Sequence, residues 1–473
     1  MDTGQDQAGC LVACRAALLS VVLALGGCAT YSDSFSGIER NLSAQQYDKA
    51  LQLVEKQADT KKDRALYFLN KGMVLRMKRD FAGSNQALEA GKVEMERLFA
   101  ASVSENTLSY LLNDATVSYA GEDYEQVLVH LYMALNYLEL GQYNEARVEA
   151  LQVDIKLREI GEKDPEGRFT EDAFSRYITG LVYEDLEEWG DALIAYRKSY
   201  EAYKKYQKDY KVAVPDMLKH DLLRLAQRLG QTGEAKKFSR EFGIVPSGMD
   251  GGKKDDEGEL VFILNNGLAP IKREKVIGAS AYRPHGVLEA GSMHEHGSPG
   301  LPVVVHIALP HFESRSSRVL KARVSVSGKQ AYTQMMEDID AIARASLESR
   351  LPAITARSVA RAVAKVAIQK SVDRAGRKRD NDLAIELLSS FAVRVAAAAT
   401  ERADTRSWLT LPANIQLARL AIPAGQYTVH VELLGEGDQV IATREFPDIV
   451  SGRSRKTYLT QHWVSDLHQT SRR

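Results

Sequence analysis

The chain has 473 residues, 44% hydrophobic and 26% charged, with a formal net charge of −1. That composition belongs to a folded protein of about two to four domains and excludes a disordered or polybasic chain. All three cysteines, Cys10, Cys14 and Cys28, lie in the first 28 residues, so the remainder has no disulfide, no Cys-ligated zinc and no thiol nucleophile.

In the first 15 residues Arg15 is the one basic side chain, with Asp2 and Asp6 upstream; an apolar run from Ala16 to Leu25 follows. A spanning helix needs roughly 20 apolar residues, so this shorter run reads as an export signal over residues 1–27. The run ends in Leu25-Gly26-Gly27-Cys28. This tetrad resembles the lipobox of bacterial lipoproteins, which implies that the Cys28 thiol takes a diacylglycerol and becomes the new N-terminus. Two or more acyl chains give stable anchoring, each buried methylene contributing about 0.8 kcal/mol. Ala29 in place of Asp resembles the outer-membrane sorting pattern and implies a lipid-anchored protein facing the periplasm. Residues 28–40, with the small or polar Ala29, Thr30, Ser32, Ser34 and Ser36, read as a tether.

From residue 41 to 243 the pattern is helical and repetitive. One phrase recurs: AQQYDKA (44–50), KRDFAGS (78–84), LGQYNEA (140–146), LEEWGDA (186–192) and LGQTGEA (229–235). The first two are offset by 34 residues, the tetratricopeptide period; the later offsets are longer, so loops intervene. Ala50, Ser84, Ala146, Ala192 and Ala235 are small, as helices in close approach require, and Gly72, Ala134 and Gly180 stand twelve positions before the second, third and fourth of them. Tyr47, Phe81, Tyr143 and Trp189 fill the elbow. The segment resembles the tetratricopeptide family, which implies an all-α solenoid.

Residues 244–258 read as a linker, Gly-rich and charged from Ser247. Gly252-Lys253 is not a P-loop: Ser247 stands where the first Gly belongs, and no Ser or Thr follows the Lys. Beyond it, residues 259–473 predict an α+β domain: strands within 259–326, helices at 334–350, 352–374 and 382–402, then strands at 415–421, 427–433, 440–446 and 456–462. The expected fold class is therefore α+β, an N-terminal helical solenoid followed by a β-sandwich-like domain with a helical insertion. GLAPIK (267–272), ADTRSWLTLP (403–412) and LAIPAGQY (420–427) resemble an uncharacterised family of repeat-bearing Gram-negative lipoproteins. That resemblance implies architecture and envelope location, and no activity.

Several clusters suggest chemistry. His285, His294, His296, His306 and His311 crowd a Gly/Pro-rich stretch, but a loop without Cys is a poor metal cage, so neither metal nor cofactor is expected. Asp404 to Trp408 reads as a structural corner with Trp408 packed under the sheet, or as a recognition surface. The apolar segment Leu383–Ala399 carries Glu386 and Arg394 and reads as a buried helix. Arg357, Arg361 and Lys365 step by four along one helix face, a solvated stripe or a contact for anionic head groups. Residues 101–191 carry a net charge of −14 and residues 259–473 one of +8. A basic partner, or this chain's own C-terminal half, complements the acidic repeats, and docking of the halves through exposed charge should weaken with salt.

No His-Glu-x-x-His, Gly-x-Ser-x-Gly or dinucleotide fingerprint is present, and near-zero charge with export argues against nucleic acid. The sequence therefore reads as a non-enzymatic scaffold binding a protein through the concave face of its repeats, lined by Tyr67, Asn70, His130, Met133, Asn136, Arg176 and Tyr177. The alternatives are a regulator of a cell-wall synthase, by analogy of fold, and a metal-dependent enzyme using the loop 285–311.

Overall fold

The computed structural model describes residues 31–58, 60–104, 117–165, 167–245, 257–281, 303–315, 317–376 and 402–465. The expected tether is already structure. Helices α1 (Tyr31–Ser34) and α2 (Ser36–Ser43) bury Phe35, Ile38 and Leu42 against Leu268 and Leu409 of the C-terminal half. Those three apolar positions recur at helical spacing, a signal outweighed in composition by the small residues around them.

The repeats follow as hairpins: α2 with α3 (Tyr47–Glu55), α4 (Arg64–Met77) with α5 (Phe81–Ser104), α6 (Asp123–Glu139) with α7 (Tyr143–Lys163), α8 (Ala173–Asp185) with α9 (Trp189–Asp209), and α10 (Asp216–Arg228) with α11 (Thr232–Phe242). The recurring phrase sits at each of these turns. Its second residue (Gln45, Arg79, Gly141, Glu187, Gly230) is left-handed in every copy, with φ between 57° and 69°. The next amide returns to a carbonyl five residues back, as Gln142 to Tyr137 and Glu188 to Tyr183, both at 2.8 Å. This is the Schellman stop, which satisfies carbonyls left over at a helix end. The small residues close the hairpins: Ala50, Ser84, Ala146 and Ala192 have no exposed surface. A Cβ on Gly180 would lie 2.3 Å from the Tyr196 ring. Ala146→Leu should therefore lose about 1–3 kcal/mol by overpacking, whereas Glu145→Gln, at an exposed position, should change little. Equal denaturation midpoints for both variants and the parent would refute this register.

The C-terminal half holds β1 (Glu257–Asn266), β2 (Ile271–Ala281), β3 (Val303–Glu313), β4 (Lys321–Val326), β5 (Lys329–Tyr332), β6 (Gln334–Asp338), α12 (Ile339–Gly376), β7 (Asn414–Pro423), β8 (Gly425–Leu434), β9 (Val440–Ser451) and β10 (Lys456–Trp463). One sheet runs β10-β1-β7-β6, with β1 and β10 parallel; a second runs β5-β4-β8-β9; β2 and β3 form a separate ribbon. The sheets pack face to face through Leu260, Phe262, Leu420 and Leu459 on one side and Val324, Val429, Val431 and Leu433 on the other. The sandwich is as expected from the alternation. The other face of the first sheet, with Val261, Ile263, Ile415, Leu417 and Tyr458, joins the core of the helical repeats. The protein is thus three layers: helices, a middle sheet buried on both faces, and an outer sheet. That double burial is why β1 is apolar at successive positions rather than alternate ones.

Three predicted boundaries move. The linker range ends inside β1, which starts at Glu257. The first insertion helix begins with a strand, β6, and α12 then runs unbroken through Pro352 where two helices were expected. The segments 382–402 up to Glu401, with Leu383–Ala399, and His285, His294 and His296 lie outside the described residues.

Candidate functional site

The concave face of the repeats was the expected partner site; the structure buries most of the residues named for it, and the chain's own middle sheet packs against part of that face. Asn70, His130, Met133, Asn136, Arg176 and Tyr177 are buried, and Tyr67 is half-buried. Asn70 donates to the Tyr31 hydroxyl at 2.9 Å and accepts from Thr410 at 2.8 Å. His130 meets Glu149 of the adjacent helix at 2.6 Å. Asn136 accepts from Arg76, which donates in turn to Thr460 of β10 at 2.9 Å. Tyr177 donates to Asp221 at 3.0 Å and accepts from Arg419 of β7 at 2.7 Å. Arg176 pairs with Asp154 and Glu171, and Met133 is core. Arg176 borders a groove along α7 rather than the sheet; nothing local to the repeats reveals that a sheet more than a hundred residues later packs on them.

Charge did point to that filling. Basic side chains of the C-terminal half meet acidic ones of the N-terminal half at buried sites. Lys272 lies 2.5 Å from Glu122, which Arg350 also contacts. Arg419 lies 2.5 Å from Asp221 while gripping Glu259 at 2.7 Å. Lys456 reaches Asp185 at 3.0 Å, Arg406 reaches Asp63 at 3.1 Å and Arg315 reaches Glu39 at 3.3 Å. Within the acidic stretch 101–191, Glu122, Glu184 and Asp185 are answered by cations of the C-terminal half. Buried pairs of this kind are screened by salt far less than exposed ones.

The pairing sets the protonation of two adjacent glutamates. Burial pushes Glu122 up, but Arg350 and Lys272 together outweigh it and hold it at about 2. Glu125 has no such cation; burial, then the Glu122 charge, push it up to about 7. It accepts from the Tyr119 hydroxyl at 2.5 Å and from the Trp408 amide at 2.7 Å. The Asp404–Trp408 corner is structural: Arg406 brackets Asp404 and Asp63, and Trp408 is fully buried.

The open apolar surface lies on the outer side of the repeats. Val148, Leu151 and Ile155 of α7 are 55%, 38% and 36% exposed. The first two sit with Ile155 along a groove of about 790 Å³ bordered by Asp154, Arg158, Glu171 and Lys198. Among the described residues no three His, Cys, Asp or Glu side chains gather as metal ligands, and no helix is long and apolar enough to cross a membrane.

No family model matches the sequence, and no curated protein matches it. Among solved structures, a crystal structure of MamA aligns at 12% identity over 43% of this chain and 90% of its own, with a TM-score of 0.28. The apo form of RapI aligns at 13% over 47% of this chain and 56% of its own, with a TM-score of 0.32. The Rap conjugation regulator of plasmid pLS20, in complex with the Phr* peptide, aligns at 14% over 45% and 53%, with a TM-score of 0.27. These superpositions are too loose to assign fold or function, and the repeat architecture stands on the five matched turns of the chain itself.

Proposed function

We propose that the protein is a non-enzymatic, lipid-anchored scaffold of the bacterial envelope, held by Cys28 at the outer membrane and facing the periplasm. It binds an apolar segment of another protein along the outer groove of α7. The observation that carries the binding site is the exposure of Val148, Leu151 and Ile155 in one line on a helix whose inner face is fully packed. Exposed apolar patches of that kind mark interaction surfaces. The Leu25–Cys28 tetrad supports the anchor, and the packing of α1 begins only three residues beyond Cys28.

Two experiments test the two parts. Cys28→Ser should abolish acylation and leave the protein uncleaved or released from the membrane fraction. A Cys28→Ser protein that still fractionates with the outer membrane at mature size would refute the anchor. A photo-crosslinking residue at position 151 should yield a discrete protein adduct in cells, lost when Val148 and Ile155 are both changed to Asp. An adduct unaffected by those changes would refute the groove.

A further inference from the structure

A second site lies where β2, β3, α12 and the segment before Trp408 converge. A cavity of about 170 Å³ is lined by five cations, Lys272, Arg350, Arg357, Arg361 and Arg402. Two carboxylates share it, Glu122 and Asp404, and both are already engaged: Glu122 by Lys272 and Arg350, Asp404 by Arg406 at 2.8 Å. Arg361 is buried and donates to Ser358 at 3.1 Å. The Nε of Arg357 is buried without a hydrogen-bond partner, an arrangement that normally costs free energy unless a ligand or solvent supplies an acceptor. Arg402 stands exposed at the rim.

Planar guanidinium groups converging on one small polar cavity match the oxygens of a phosphate group, each able to give two parallel hydrogen bonds. We infer that this cavity binds a phosphate group, with Arg357 and Arg402 as its ligands and Arg350, Lys272 and Arg361 supplying the positive field. The cavity also lies beside the chain's entry into the fold. The Ser32 hydroxyl donates to the backbone carbonyl of Lys272 at 3.0 Å and to that of Thr405 at 3.3 Å. Cys28 is four residues upstream of Ser32 in the sequence. If Cys28 carries the lipid, as proposed above, the cavity sits at the head-group level and its phosphate is that of an anionic lipid; otherwise it is that of a soluble phosphate ester.

The test uses the full chain carrying Cys28→Ser, which has no acyl group, so the anchor and the phosphate site fail independently. Inorganic phosphate should raise the melting temperature above that in chloride of equal ionic strength. Arg357→Gln and Arg402→Gln should each weaken phosphate binding about tenfold, and Arg357→Lys should recover part of the loss. Co-sedimentation with vesicles of phosphatidylcholine alone, and of phosphatidylcholine mixed with phosphatidylglycerol, then identifies the source. Arg357-dependent binding to the mixed vesicles supports the lipid head group; phosphate binding without vesicle binding supports the soluble ester. If both Gln variants match the parent in phosphate and in vesicle binding, or if chloride protects as well as phosphate, the site is refuted.

Discussion

Replacing Arg419 by Met should lower stability by about 3–5 kcal/mol, because it removes the cation that the buried carboxylates of Asp221 and Glu259 share, although Asp221 keeps Arg224 at 2.8 Å. Arg419, its side chain 10% exposed, touches Tyr177 and Asp221 of the helical layer from a strand of the middle sheet. The loss should therefore appear as a single cooperative transition of both halves in urea, not as release of one from the other. Adding Asp221→Asn and Glu259→Gln should recover most of it, since an apolar or neutral cluster of similar volume is often as stable as a buried ion cluster. Raising salt to 1 M should leave the parent's midpoint nearly unchanged. A harmless Arg419→Met would mean that the halves are not joined at this point.

A loss of similar size is expected for Trp408→Ala, about 3–5 kcal/mol for emptying a fully buried indole site. The ring meets Tyr132 of α6 edge-on with centroids 6.1 Å apart, and its Nε1 donates to Thr410 at 3.0 Å. Thr410 in turn donates to Asn70, which holds the Tyr31 hydroxyl. Trp408 thus ties sheet, repeats and the first helix into one contact chain. Trp408→Phe retains the ring and loses the donor, so it should cost less, roughly 1–3 kcal/mol. Urea midpoints for the two variants give the comparison, and equal small losses would show that Trp408 is not a core contact.

The helical hairpins were legible because one phrase repeats and each of its positions has a distinct physical task. The left-handed residue ends a helix, the aromatic begins the next and the small residue admits its neighbour. The sandwich was legible because Val319–Val326 alternates and β7 to β10 are punctuated by glycines. What stayed hidden was nonlocal. Phe35 and Ile38 looked like residues of a tether because their partners, Leu268 and Leu409, are more than two hundred positions away. The ribbon strand β2 carries Lys272, Arg273, Glu274 and Lys275 and gives no apolar pattern at its start. The partner-binding residues were misassigned for the same reason: periodicity tells which face of a helix is buried, not which chain buries it. The unbroken apolar run Leu260–Leu264 was the available sign that a sheet is covered on both sides, and helices were the only cover left to assign.

The middle sheet has an order of assembly built into its strand pairing. Glu259 of β1 lies beside Lys456 of β10, in parallel register. Almost two hundred residues separate these two strands along the chain, so an interval of assembly lies between them. Through that interval Arg76 has no Thr460 to meet, and Asp185 has neither Lys456 nor Tyr458. The helical layer consequently completes its inner face only after β10 is in place. Such distant pairings also make loop closure slow relative to hairpin formation. A chain interrupted before residue 456 would leave β1 as an open, apolar edge.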